Sequence, residues 1–238
     1  MFSKVITFLT SMFLTLAPMT TFTEGMVGQP ESFLPHQASN QRDKTISNLI
    51  YRGLFKYDIY GALENDLVET WKISEDGLVY TITLKEDQYW TDGSKITSDD
   101  IIYTAFKTPA LSDVATDKVD DRTVRFTLPN KFSPFRSLLT TGIMKRNAEE
   151  NQNPLKPVSS GQFKVISVKE SGPLVKEVTL YNRKDHANIK KLSFRYYANE
   201  EELLTAAKLG EIDAYLADET HDLPNFENSM EIFLRYIF

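Results

Sequence analysis

The chain has 238 residues, no cysteine, 41% apolar and 25% charged residues, and a formal net charge of −6. That length holds one large or two small domains around an ordinary globular core. The missing cysteines exclude disulfides, thiolate metal sites, a cysteine nucleophile and a lipid-modified cysteine anchor, and the acidic balance argues against a nucleic-acid surface, which needs a basic stripe.

Residues 1–20 carry one lysine, Lys4, ahead of an apolar run from Val5 to Ala17 that Thr and Ser interrupt. The run suits the apolar centre of a signal peptide better than a membrane span of about 20 residues. Leu16-Ala17-Pro18-Met19 is a poor cleavage pattern, and extension of the run to Phe22 keeps an uncleaved anchor open. Residues 21–28 read as a first strand, and Gln29 to Pro35 as a loop bounded by Pro30 and Pro35. Asp43 is placed to cap a helix over 44–52, with Ile46, Leu49 and Ile50 on one face and Gly53 as its stop. Residues 54–58 follow as a short strand, and Tyr51 and Arg52 read as packing and surface residues.

Residues 66–106 are the best-written stretch. Leu78, Tyr80, Ile82 and Leu84 alternate with Val79, Thr81, Thr83 and Lys85, giving a strand with one apolar face. Glu75-Asp76-Gly77 supplies the turn before it, and Asp92-Gly93 a hairpin-type turn after Tyr89-Trp90. Thr97 is an N-cap, followed by Asp99 and Asp100 at the positive end of a helix whose apolar stripe is Ile101, Ile102, Ala105 and Phe106. Residues 107–118 read as loop. Val124, Phe126 and Leu128 mark another strand, Phe132 to Leu139 a short helix, and 149–158, with Pro154 and Pro157, a further loop. Strands are expected over 163–169, 175–182 and 189–197. Asn199 then caps a helix with Glu202 three residues on, Gly210 ends it, and Glu211 to Ala214 lead into a strand. The chain closes on an apolar run, Ile232 to Phe238.

The residues offer little catalytic chemistry. His36, His186 and His221 are far apart, and none has a second donor at ligand spacing, so neither a metal nor any other cofactor is expected. There is no G-x-S-x-G elbow and no glycine-rich phosphate loop. Asp99-Asp100 and Asp120-Asp121 are explained by a cap and a turn, and Glu200-Glu201-Glu202 by the first turn of a helix. The aromatic content suits a peptide or sugar cleft and equally a packed core.

Several of these segments, in this order, resemble the extracellular solute-binding proteins of family 5. The stretch from Trp71 to Leu84, W-x-I-S-x-D-G-L-x-Y-T-x-x-L, is followed by Trp90-x-Asp92-Gly93 and by Thr97-x-Asp99-Asp100-Ile101. Val119 to Leu128, V-D-D-x-T-V-x-F-T-L, and Gly210-Glu211-Ile212-Asp213-Ala214 continue the likeness. Pro157 to Val165 is similar to the family's P-x-G-T-G-P-Y/F-x-V, with Ser159-Ser160 in place of Gly-Thr and Gln162 in place of Pro. Met144 to Asn147 lacks the Pro and His usual at that point.

The resemblance implies an α/β (α+β mixed-sheet) fold, a type II periplasmic-binding-protein lobe. On that reading residues 1–20 are a signal peptide or anchor and 21–238 the first lobe, with a small subdomain inserted at about 58–150 and the second lobe missing. It also implies an exported, non-enzymatic substrate-binding protein of an ABC importer, which closes two lobes over an oligopeptide or similar solute and delivers it to the permease subunits. Membrane contact would run only through the N-terminal segment, and no nucleic acid is involved. The ligand-facing residues implied are Gln29, Glu31, Phe33, Gly161 and Gln162. A truncated fragment that binds nothing is the alternative, and a small hydrolase has no supporting constellation.

Overall fold

The computed structural model describes residues 21–147, 153–185 and 187–216. The N-terminal apolar segment, His186, His221 and the run Ile232–Phe238 lie outside them. In chain order the elements are β1 (Thr21–Val27), α1 (Gln41–Ile50), β2 (Phe55–Tyr57), β3 (Leu63–Asn65), β4 (Val68–Ile73), β5 (Val79–Leu84), α2 (Ser98–Lys107), β6 (Ala115–Lys118), β7 (Thr123–Thr127), α3 (Phe135–Leu138), β8 (Phe163–Ser171), β9 (Leu174–Asn182), β10 (Lys191–Tyr197), α4 (Glu200–Lys208) and β11 (Ala214–Tyr215).

The alternation in β5 sends Tyr80, Ile82 and Leu84 inward and leaves Val79, Thr81 and Thr83 half covered. Burial of a side chain such as Ile82, Leu84 or Phe126 is worth about 1.5–3 kcal/mol. The turn into β5 closes with Gly77 N–H donating to the Ser74 carbonyl, at a φ of 74° that glycine adopts without penalty. Thr97 and Asp100 form a reciprocal capping box at the start of α2. Asp100 also accepts from Trp90 Nε1 at 3.2 Å and from Arg146 N at 2.8 Å, so one buried carboxylate ties the turn, the helix and the 142–147 segment together.

β4, β5, β7 and β6 form a four-stranded antiparallel sheet in that order. The second sheet runs β11-β1-β10-β9-β8, with β1 parallel to both β10 and β11 and the remaining pairs antiparallel. One continuous apolar cluster, including Phe33, Leu54, Ile82, Phe126, Phe135, Val178 and Phe194, joins the two sheets. A satellite of Leu203, Ala207 and Ile212 sits beneath α4. A Cβ on Gly25 would lie 2.6 Å from Ile212 and 2.9 Å from Leu203, so the glycine lets α4 and the turn after it approach β1. On the other face Thr45 and Leu49 of α1 stand over Phe22, Glu24, Leu192 and Phe194 around a hollow of about 190 Å³.

Three local expectations are corrected. The cap of α1 is Asn40, whose side chain accepts from Asp43 N at 2.9 Å, and the helix begins at Gln41 and ends at Ile50, short of Gly53. Asp43 is wholly buried and holds the preceding loop instead. The 107–118 loop contains a 3-10 turn, Pro109–Leu111, and the edge strand β6.

Candidate functional site

The five residues singled out from the sequence fall at the two ends of α1, which at ten residues rises about 15 Å. Gln29, Glu31 and Phe33 lie toward its N-terminal end. The Gln29 amide pairs with the backbone of Val175 in both directions, accepting at 2.7 Å and donating at 3.2 Å, as a neighbouring strand would. Glu31 N and Ser32 N donate to Asp43, Phe33 N donates to the Pro154 carbonyl at 2.9 Å, and the Phe33 ring is wholly buried. The Glu31 side chain is exposed.

Gly161 and Gln162 lie at the C-terminal end. There the Ile50 carbonyl, one of the last of the helix, accepts from Ser160 N at 3.1 Å and Gly161 N at 2.6 Å. A loop far away in sequence thus caps α1. A Cβ on Gly161 would stand 2.5 Å from the Ile50 carbonyl carbon and 2.7 Å from the Leu49 oxygen, so only glycine fits. Ser160 Oγ accepts from Arg52 N, and Ser159 exchanges two hydrogen bonds with Thr91, which follows Trp90. The two serines that replace Gly-Thr in the resembled pattern are therefore both buried and anchored through their backbones.

Beside this cap opens a groove of about 470 Å³, bounded by Asn48 of α1, Tyr51 and Arg52 just after it, Lys56 and Tyr57 of β2, Asp66, Thr140 and Gly142, and Gln162 at its rim. Two glycines make its walls possible. A Cβ on Gly53 would meet the Thr140 oxygen at 2.6 Å, and one on Gly142 would meet Tyr51 Cβ at 2.6 Å. Arg52 spans the groove and pairs side-on with Asp66, with Nε and Nη2 at 2.8 and 2.6 Å from Oδ1, while Nη1 donates to Gln88 at 2.7 Å. Lys56 pairs with Glu64. Burial pushes the Tyr51 phenol well above its usual range, so it stays protonated and donates to the Val158 carbonyl at 3.2 Å. The groove therefore offers amide, hydroxyl and backbone groups beside charges that are already paired, a surface for a polar ligand rather than for acid–base chemistry.

Of the five expected residues, the groove takes in Gln162 alone, while Gly161 lies in the adjoining cap of α1. Arg52, read from the sequence as a packing or surface residue, and Asp66 are the paired charges of the groove. Fourteen positions apart on unrelated segments, they gave no signal of being partners. Among the described residues no three His, Asp or Glu side chains stand close enough to hold a metal ion, and no helix is long and apolar enough to cross a membrane.

The profile of the bacterial extracellular solute-binding proteins, family 5 (middle), matches residues 62–232. The chain is 24% identical over 221 residues to the probable D,D-dipeptide-binding periplasmic protein DdpA of Escherichia coli (strain K12), covering 82% of this chain and 43% of the relative. It is 25% identical over 231 residues to the oligopeptide-binding protein OppA of Bacillus subtilis (strain 168), covering 82% and 42%. Among solved structures it is similar to NikZ of Campylobacter jejuni in complex with Ni(L-His), with a TM-score of 0.70, 26% identity and coverage of 84% of this chain and 44% of that one. AppA of Bacillus subtilis in complex with a nonapeptide shares the fold, with a TM-score of 0.71, 22% identity and coverage of 81% and 43%. The chain spans less than half the length of these proteins. It belongs to the family 5 extracellular solute-binding proteins, and its fold is that of a type II periplasmic-binding-protein lobe.

Proposed function

We propose that this family 5 chain is the first lobe of an extracytoplasmic substrate-binding protein of an ABC importer, and that it binds oligopeptides or similar solutes for delivery to the permease. The observation that carries the reading is the family match across 62–232 on a fold shared with peptide- and metal-chelate-binding receptors. The relatives are binding components rather than enzymes, in keeping with a groove whose charges are paired. Gln162 at the groove rim is the proposed ligand contact, with Gly161 holding the preceding loop on the end of α1. Gln29, Glu31 and Phe33 form the second ligand-bordering loop of this reading, in which Gln29 and Phe33 act through the backbone they hold. The inserted unit of about residues 58–150 is part of the same proposal, supported by a sheet whose four strands all lie within residues 68–127. So is export directed by residues 1–20, with any membrane contact made through that segment.

Thermal unfolding of the purified chain tests the reading. A mixed oligopeptide pool should raise the melting temperature through preferential binding to the folded state. Gln162→Ala should weaken peptide affinity about threefold, the effect of losing about one exposed hydrogen bond, without moving the unligated midpoint. A cooperative melt that no peptide shifts would sink the binding reading. Mass determination of the exported protein decides whether residues 1–20 are removed.

A further inference from the structure

α2 turns a largely polar side inward and an apolar side to solvent. At about 100° per residue, Ser98, Ile101, Thr104 and Ala105 point one way, and Asp99, Ile102, Tyr103 and Phe106 the other. The sequence pattern places Ile101, Ile102, Ala105 and Phe106 on one apolar stripe, but the fold buries Ile101 and Ala105, leaves Ile102 and Tyr103 half-buried, and exposes 82% of Phe106. Hydrogen bonds hold the inward side. Ser98 Oγ donates to the Asp120 carbonyl at 2.6 Å, and Thr104 Oγ1 accepts from Met144 N and donates to the Asp100 carbonyl, both at 2.8 Å. The helix cannot roll Phe106 inward without breaking them. Pro109 and Ala110, in the turn that follows, extend the exposed strip. Contiguous apolar side chains held in water by the fold itself mark a contact surface for another macromolecule.

The charges on the strip choose the partner. Asp99 lies four residues before Tyr103 and Lys107 four residues after it, each about 6 Å away along the helix axis. Around Asp99, Lys118 pairs with both Asp99 and Asp121, two carboxylates to one ammonium, so that end of the strip is negative. Lys107 makes the other end positive, its ammonium 5.6 Å from the centre of the Tyr103 ring. Such a strip is its own complement. Turned about a two-fold axis at Tyr103, it sets Asp99 of each copy against Lys107 of the other and runs the two helix dipoles antiparallel.

We propose that α2 packs antiparallel on α2 of a second copy of this chain, with Ile102, Tyr103 and Phe106 at the centre of the contact and Asp99–Lys107 pairs at its two ends. One helix face per copy falls short of the roughly 1,000 Å² of a stable interface, so the dimer is a weak one that fills at about 100 μM. No residue lining the groove belongs to α2, so this proposal and the binding reading fail separately.

The test is sedimentation equilibrium of the full chain from about 10 to 500 μM, which should show a monomer passing into a dimer. Phe106→Glu should weaken that dimer at least about tenfold while the thermal midpoint of the monomer stays put, since the ring it removes is exposed. The chain has no cysteine, so single cysteines map the register under air oxidation. Tyr103→Cys should link to itself across the axis. A mixture of Asp99→Cys and Lys107→Cys chains should link to each other in preference to themselves. A chain that stays monomeric throughout leaves the strip to a different protein and overturns the proposal. So does a dimer that Phe106→Glu does not weaken, or one in which Asp99→Cys links to itself as readily as to Lys107→Cys.

Discussion

The two ends of α1 are built to opposite standards. At the C-terminal end a distant loop closes on the helix so tightly that Ile50 O takes two donors and Gly161 has no room for a methyl group. At the N-terminal end Asn40 and Asp43 complete the cap, but Arg42 keeps a buried Nε–H donor that nothing in the described chain uses. A saturated end is a joint between parts of the fold, whereas an end with an unused donor is held less completely.

Substitutions at the two ends should therefore fail differently. Gly161→Ala should have the largest effect, about 3 kcal/mol of lost stability in urea unfolding, because the new methyl group meets backbone that cannot yield. A loss below about 0.5 kcal/mol would show that the joint is looser than its distances imply. Asp43→Ala should cost about 2 kcal/mol by leaving Glu31 N and Ser32 N without their acceptor. It should also raise hydrogen exchange in the 28–34 loop while leaving the Ser160 and Gly161 amides protected. Loss of protection at both ends together would erase the distinction. The smallest effect concerns Asp92, next to the Thr91 that holds Ser159. Burial opposes its ionisation, but the Lys145 ammonium and Ser94 outweigh that and hold its carboxyl at about 2. Its folded value lies below the ordinary 3.8, so its contribution is complete above that value and is lost as the pH falls through about 2. Asp92→Asn should flatten stability against pH in that window and lower it at neutral pH, where the contribution is complete, by a small amount because the pair with Lys145 is partly exposed.

Much of the fold was legible in the residues. Tyr80, Ile82 and Leu84 announce a half-buried strand, and Thr97, Asn199 and Gly210 mark helix ends by chemistry that acts within three or four positions. β6 was missed because an edge strand reading Ala-Thr-Asp-Lys has no apolar face to reveal it. The cap of α1 was misplaced by three residues because Asp43 and Asn40 are both good capping residues, and only the buried loop at Glu31 decides between them. The site was less legible for the same reason throughout. Gln29 and Gln162 come near opposite ends of one helix, Arg52 finds Asp66, and Gln29 finds Val175, 146 positions on. Local pattern contains none of these distances.

The position of β1 also sets an order of assembly. The first strand of the described chain finds its partners only in residues 191–197 and 214–215, whereas the four-stranded sheet is complete by residue 127. Long-range pairings close last because the intervening chain must first be ordered. A polypeptide leaving the ribosome can thus form its inner unit early but leaves β1 without its sheet partners until residues 191–215 have emerged.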